Sequence, residues 1–135
     1  MAFLHREKVL FRHCDPAGIV FYPRYFEMMN DTVEAFFDQR LNFPFRDMQQ
    51  ACGVPTAAME ATFTAPSRLG DDLVIALTCD RVGRSSLTFS YVATCEQEQR
   101  FRAVSTVVYI TGSGQSAPWP ADLKGRIELE MEGAA

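Results

Sequence analysis

At 135 residues, 47% hydrophobic and 22% charged, the chain has the size and make-up of one globular domain with a real core. Its net charge of −4 argues against a general nucleic-acid binder, which carries a basic excess, but leaves room for local basic patches that grip phosphate. The four scattered cysteines form no C-x-x-C, there are only two histidines, the first eight residues carry charges, and no apolar run approaches about 18–20 residues. These features argue against a Cys/His zinc site, a signal peptide and a membrane span, and they point to reduced thiols in a cytoplasmic protein.

Residues 3–13 alternate as a strand, with Val9 and Phe11 on one face and Arg6, Lys8 and Arg12 on the other. Asp15-Pro16-Ala17-Gly18 reads as a turn: Pro fixes φ, Gly permits positive φ, and the residue before Pro is pushed away from helical values. Tyr22-Pro23 reads as a helix start, because Pro is tolerated at the first helical position. The helix is expected over residues 23–41, about 25 Å long. Its apolar stripe is Tyr22, Phe26, Met29, Val33 and Phe36 or Phe37, with Glu27, Asp31, Glu34 and Asp38 off the stripe. Asn42 and Pro44 end it.

Residues 42–55 read as a loop or short helix closed by Gly53-Val54-Pro55. Four strands follow, over residues 56–65, 73–82, 87–95 and 101–110. The first places Ala57, Met59, Ala61 and Phe63 on one side, and the third alternates through Leu87, Phe89, Tyr91 and Ala93. The turns between them are 66–71, 83–86 and a polar hairpin at 96–99. Residues 111–116 read as a flexible link to a tail with Trp119 and one turn of helix near 121–124. Short turns imply antiparallel pairing. A single apolar helix must then be covered by that sheet, which makes an α+β fold. No internal repeat or domain boundary is visible, so residues 1–135 are read as one domain.

Asp15 is the leading candidate for chemistry. It lies a few residues upstream of a helix N-terminus whose free amides, on Tyr22, Arg24 and Tyr25, carry partial positive charge. A carboxylate beside such amides supplies a base or nucleophile and an oxyanion hole, two parts of an acyl-transfer site. An Asp in this kind of turn also serves as an Asx cap on Ala17 or Gly18. His13 and Cys14 are adjacent on extended chain and point to opposite faces, so they are not read as a Cys–His pair. His13 is read as a surface or supporting residue, and Cys14 as a small core residue. No G-x-x-x-x-G-K-[ST], G-x-G-x-x-G or metal-ligand spacing appears.

The run Asp15-Pro16-Ala17-Gly18-Ile19-Val20-Phe21-Tyr22-Pro23-Arg24-Tyr25-Phe26 resembles the signature D-P-A-G-I-V-F/W-Y-P-x-Y/F of the 4-hydroxybenzoyl-CoA thioesterase family of hotdog-fold proteins. Weaker similarity continues through Gly53-Val54-Pro55 to about Ile110. The resemblance implies a hotdog fold, a five-stranded antiparallel sheet wrapped around one long central helix. It also implies association into dimers or dimer-of-dimers tetramers. The implied reaction is hydrolysis of an acyl-CoA thioester to a carboxylate and CoA. No metal or redox cofactor is required, since coenzyme A is part of the substrate. By the same resemblance Asp15 attacks the thioester, as nucleophile or by activating water, and the Tyr22 backbone N–H polarises its carbonyl. The Tyr22 side chain itself is read as core packing.

Asn30 stands where the hydroxybenzoyl-specific branch carries an acid, so the acyl group is left open between aryl and short or medium aliphatic, with the D-P-A-G-I-V block favouring aryl. Thr56 falls in the segment that lines the acyl pocket in relatives. Arg81, Arg84, Ser85 and Ser86 surround one hairpin, with Arg68 on the preceding turn; relatives contact the nucleotide at the matching 81–86 turn, and arginine forks suit phosphate oxygens. Arg100 and Arg102 are weaker candidates. An acyl-carrier-protein thioester is a further possibility for the same chemistry. The rivals are an enoyl-thioester hydratase or dehydratase, which needs a histidine that does not follow Asp15, and a non-catalytic acyl-CoA-binding module. A small-molecule substrate, with no nucleic acid and no membrane, is the expected partner.

Overall fold

Apolar or small residues buried at every second position build the long strands, and turn residues fold them back on one another. The computed structural model describes residues 2–48 and 51–134. In chain order the elements are β1 (Phe3–Lys8), a 3-10 turn (Phe11–His13), α1 (Pro23–Gln39), α2 (Phe45–Met48), β2 (Cys52–Gly53), β3 (Thr56–Phe63), β4 (Asp72–Val82), β5 (Ser86–Cys95), β6 (Glu98–Val108), β7 (Ile110–Thr111) and α3 (Ala121–Ala134). Five strands form one antiparallel sheet in the order β1-β4-β5-β6-β3, and β2 pairs with β7 in a separate ribbon. The sheet wraps α1, as the hotdog expectation requires. β5 and β6 join through Glu96-Gln97, both at positive φ (51° and 69°), the two-residue turn that matches strand twist.

Leu73, Ile75 and Leu77 of β4, Leu87, Phe89 and Tyr91 of β5, and Phe101 of β6 are buried against α1. Tyr25, Met28, Met29, Thr32, Val33, Phe36 and Phe37 line the buried face of the helix. Each such large side chain contributes about 1.5–3 kcal/mol of burial. The Thr32 hydroxyl is satisfied internally, donating to the Met28 carbonyl at 2.8 Å.

This helix face corrects the sequence expectation. Tyr25, Met28 and Thr32 enter the stripe, and Tyr22 (58% exposed) leaves it. Tyr22 sits ahead of the first turn, against the rim of the sheet. Three further boundaries differ. The first strand stops at Lys8, and Phe11, expected to face inward, is 83% exposed on the 3-10 turn. The segment read as a flexible link is a hydrogen-bonded turn, with the Thr111 N–H on the Gln115 carbonyl (2.9 Å) and Gly114 at φ 86°. The C-terminal helix runs fourteen residues rather than one turn. Trp119 anchors it: its backbone N–H donates to the Arg84 carbonyl (2.9 Å) and its ring N–H to Ser86 (3.1 Å). Leu123 and Ile127 are buried, while Arg126 donates to the Leu41 carbonyl (2.7 Å) and Arg40 pairs with Glu130 (3.4 Å). α3 therefore covers the C-terminal end of α1 and leaves its N-terminal end open.

Candidate active site

A small hairpin at that open end carries Asp15. The Phe21 N–H donates to the His13 carbonyl (2.9 Å), Cys14 pairs with Val20, and the Asp15 N–H donates to Ile19 (3.0 Å). Pro16, Ala17 and Gly18 form the loop, closed by the Gly18 N–H on the Asp15 carbonyl (2.9 Å). Gly18 sits at φ 82°, where nothing would meet an added Cβ, so backbone conformation alone selects glycine there. Oδ1 of Asp15 accepts the Ala17 N–H at 2.9 Å, the Asx turn expected of this run. No other hydrogen bond reaches that half-buried carboxylate among the described residues.

Three helix-terminal amides were expected to be free, and the structure reduces them to one. The Arg24 N–H donates to Phe21 (2.8 Å) and the Tyr25 N–H to Tyr22 (3.0 Å), because the first turn of α1 is tightened. The Tyr22 N–H has no acceptor among the described residues. With Pro23 at the first helical position, this amide stands at the positive end of the α1 dipole.

Asp15 opens into a cavity of about 320 Å³ shared with Arg12, Cys14, Pro16, Phe21 and Arg24. A broader cavity of about 650 Å³ adjoins it at Arg12 and continues past Phe26, Glu27, Asn30 and Asp31. The exposed Tyr22 ring links the cavity-lining rings: it packs edge-on against Phe21 (5.8 Å) and Phe26 (6.4 Å) and tilts against Phe63 (6.1 Å). Phe63 in turn stacks on the buried Tyr25 at 5.3 Å. The Tyr22 side chain is thus a surface aromatic rather than core.

His13 is buried, not on the surface. Its Nδ1 accepts the Leu10 N–H at 2.8 Å, which requires a neutral ring. Burial, then the Arg12 charge, hold the imidazole below the usual histidine range. Cys14 turns its Sγ to the Leu10 carbonyl at 3.7 Å. Histidine and cysteine thus serve the same turn separately and do not contact each other.

The Asp15 hairpin is fastened to the sheet by one buried cation. Arg100, 8% exposed, donates through one nitrogen to Asp71 (2.7 Å), Ser67 Oγ (3.1 Å) and the Pro66 carbonyl (3.2 Å). Its Nε lies 2.9 Å from Glu98 but at an angle that makes no hydrogen bond. The turn so held receives the Val20 N–H on the Ser67 carbonyl (2.9 Å) and pairs Arg68 with Ile19. The Arg68 amide and the Arg100 guanidinium keep the Asp71 carboxyl below its usual range.

The candidate residues divide between the two ends of the sheet. Asp15, Tyr22 and Arg68 share the open end, and Asn30 lies about 12 Å along α1 from Tyr22. Thr56 begins β3 opposite Val107, roughly 23 Å along the strand from Phe63. Arg81, Arg84, Ser85 and Ser86 surround the β4–β5 turn, about 30 Å from Asp72 at the other end of β4. Within one chain they do not meet Asp15. Arg12, Phe21 and Arg24 were missed as site-lining residues. The adjacent apolar pair Leu10-Phe11 breaks the period of two, and that signal would have ended the strand before Arg12. Among the described residues no three His, Cys, Asp or Glu side chains converge to hold a metal ion.

The thioesterase-like superfamily pattern matches residues 9–127. A search of curated sequences gave no match. Among solved structures the chain is similar to an Asp-to-Asn variant of 4-hydroxybenzoyl-CoA thioesterase complexed with 4-hydroxybenzoyl-CoA (21% identity, 93% of this chain and 98% of that one, TM-score 0.86). A 1,4-dihydroxy-2-naphthoyl-CoA thioesterase from Synechocystis is comparable (20%, 94% and 96%, 0.85). So is a hypothetical protein from Staphylococcus aureus in complex with CoA (15%, 98% and 85%, 0.89). At these identities the likeness is one of fold.

Proposed function

The chain belongs to the thioesterase-like superfamily, and from that premise we propose that it is an acyl-CoA thioesterase, converting an acyl-S-CoA and water to a carboxylic acid and free CoA. The observation that carries the reading is the pairing of Asp15, open to a cavity, with the unpartnered Tyr22 N–H at the α1 N-terminus. The thioester carbonyl accepts that N–H, and a tetrahedral oxyanion gains about 3 kcal/mol from one such donor. Asp15 either attacks the carbonyl carbon, giving an anhydride that water then opens, or takes a proton from the attacking water. In both routes the C–S bond breaks and the thiolate leaves to be protonated as CoA.

Association completes the site. β3 is an edge strand, and pairing with a second copy would bring the neighbour's Thr56 and its Arg81–Ser86 hairpin toward Asp15. Those residues would then line the acyl pocket and hold the nucleotide phosphates, with Arg68 contributed beside Asp15 and Asn30 facing the acyl group. The CoA complexes of similar folds support a CoA thioester as ligand.

One observation favours the rival of a non-catalytic acyl-CoA binder: Asp15 already has a structural duty toward Ala17. Asp15→Asn separates the two, because the amide oxygen keeps that hydrogen bond while the ionised carboxylate is lost. Thiol release is measured from benzoyl, 4-hydroxybenzoyl, phenylacetyl, acetyl, hexanoyl and palmitoyl thioesters. Asp15→Asn is expected to stay folded and lose roughly three orders of magnitude or more. No release from any thioester, or equal release by the variant, overturns the proposal. The hydratase rival loses ground at His13, whose acceptor nitrogen is occupied by the Leu10 amide.

A further inference from the structure

His13 closes the 3-10 turn that leads into the Asp15 hairpin, and it does so twice. Its backbone N–H donates to the Leu10 carbonyl (2.9 Å), and its ring Nδ1 accepts the Leu10 N–H (2.8 Å). Its own carbonyl takes the Phe21 N–H (2.9 Å), the rung of the hairpin next to α1. One residue thus fixes the arm that carries Asp15 and, through Phe21, the chain just ahead of the Tyr22 amide. The ring is buried, 3% exposed, and an Nδ1 that accepts leaves the single proton of a neutral imidazole on Nε2. His5 has no such duty: it lies partly exposed beside Glu7 at 3.4 Å, where a charged ring is tolerated.

Building on the thioesterase reading, we infer that His13 is a positioning residue that must be neutral for activity, so that protonating its ring releases Asp15 from the Tyr22 amide and shuts the site in mildly acidic medium. Protonation turns Nδ1 into a donor, and it then faces the Leu10 N–H donor to donor in a buried place. The ring must swing out or the turn must open, and either frees the hairpin. The charges that face the ring are Arg12 on its own turn and Arg24, Glu27 and Asp31 on α1. Burial and the two arginines outweigh the two acids, so the folded chain resists the proton more than the unfolded one does. The neutral ring therefore contributes its full stability above the unfolded value of about 6.5, and this is lost as pH falls through the lower folded value.

The test takes kcat/KM from about pH 5 to 8 on the thioester hydrolysed fastest, and follows the ring titrations of His5 and His13 by NMR, assigned with His5→Gln. Native kcat/KM is expected to fall severalfold toward the acid end, with the midpoint of the His13 ring. This comparison needs no variant of His13. His13→Asn presents an amide oxygen as many bonds from Cα as Nδ1 and does not titrate, whereas His13→Ala offers no acceptor. At neutral pH His13→Ala should lose roughly ten- to a hundredfold, the scale of a misplaced catalytic group. His13→Asn should recover most of that loss, and the His13 limb should be gone from its profile. His5→Gln should keep the limb. A profile that ignores the His13 midpoint, or a limb that survives in His13→Asn, overturns the inference. If no thioester is hydrolysed, the Leu10, Phe21 and Tyr22 amide signals still report on the hairpin. Their movement at the His13 midpoint upholds the switch while the thioesterase reading fails, and amides that ignore that midpoint overturn the switch as well.

Discussion

At the scale of single residues, the Asp15 hairpin rests on an ion pair that is itself remote in sequence. Arg100 is almost fully buried, and Asp71 is the nearer of its two charged partners, with Glu98 the other. The Asp71 carboxyl is more acidic in the folded chain than in the unfolded one. A depressed carboxylate contributes stability that is complete above its unfolded pKa of about 4 and is lost as pH falls through the lower folded value. Asp71→Asn should therefore cost about 2–3 kcal/mol at pH 7, where it removes the shorter of two ion pairs on a buried guanidinium. The gap from the native chain should narrow as pH drops toward 3. Urea unfolding at the two pH values checks this, and a constant gap would refute it. The turn at Asp15 was legible because Pro16, Gly18 and Pro23 act locally. Arg100 was not, because its partners lie 29 to 34 residues away and only pairing of β6 with β3 brings them together.

At the scale of elements, periodicity found α1 and the four long strands, because each buries a face of regular spacing. It failed for α3, whose interior contacts are few: Leu123 and Ile127 among charged neighbours, with Trp119 outside the helix. Trp119 is nevertheless what joins α3 to the β4–β5 turn, through the Arg84 and Ser86 carbonyls. If that turn holds the nucleotide, Trp119→Ala should act on binding rather than chemistry. The expected outcome is a loss of about 3–5 kcal/mol of stability. Among molecules still folded, KM for an acyl-CoA should rise several-fold with kcat within about twofold. Hydrogen exchange should show lost protection in α3, and a fall in kcat with unchanged KM would contradict the assignment.

At the scale of the whole molecule, the candidate residues fall at both ends of a sheet too long for any one substrate atom to touch them all. Asp15 and Tyr22 stand at one end; Thr56, Arg81 and Arg84 stand at the other. No reading of a single chain's periodicity could reveal this, since register and strand order decide it. If the site is shared between two copies, lesions at opposite ends are complementary. Asp15→Asn chains and Arg81→Gln/Arg84→Gln chains should each be poor alone at substrate well below KM. Refolded together at equal amounts, half the dimers would be mixed, each with one site free of both lesions, so roughly a quarter of native activity should return. Mixing without refolding, which leaves the dimers unexchanged, should return none. If co-refolding also returns only the average of the two parents, both ends act within a single chain or the hairpin takes no part in binding, and the shared site is wrong.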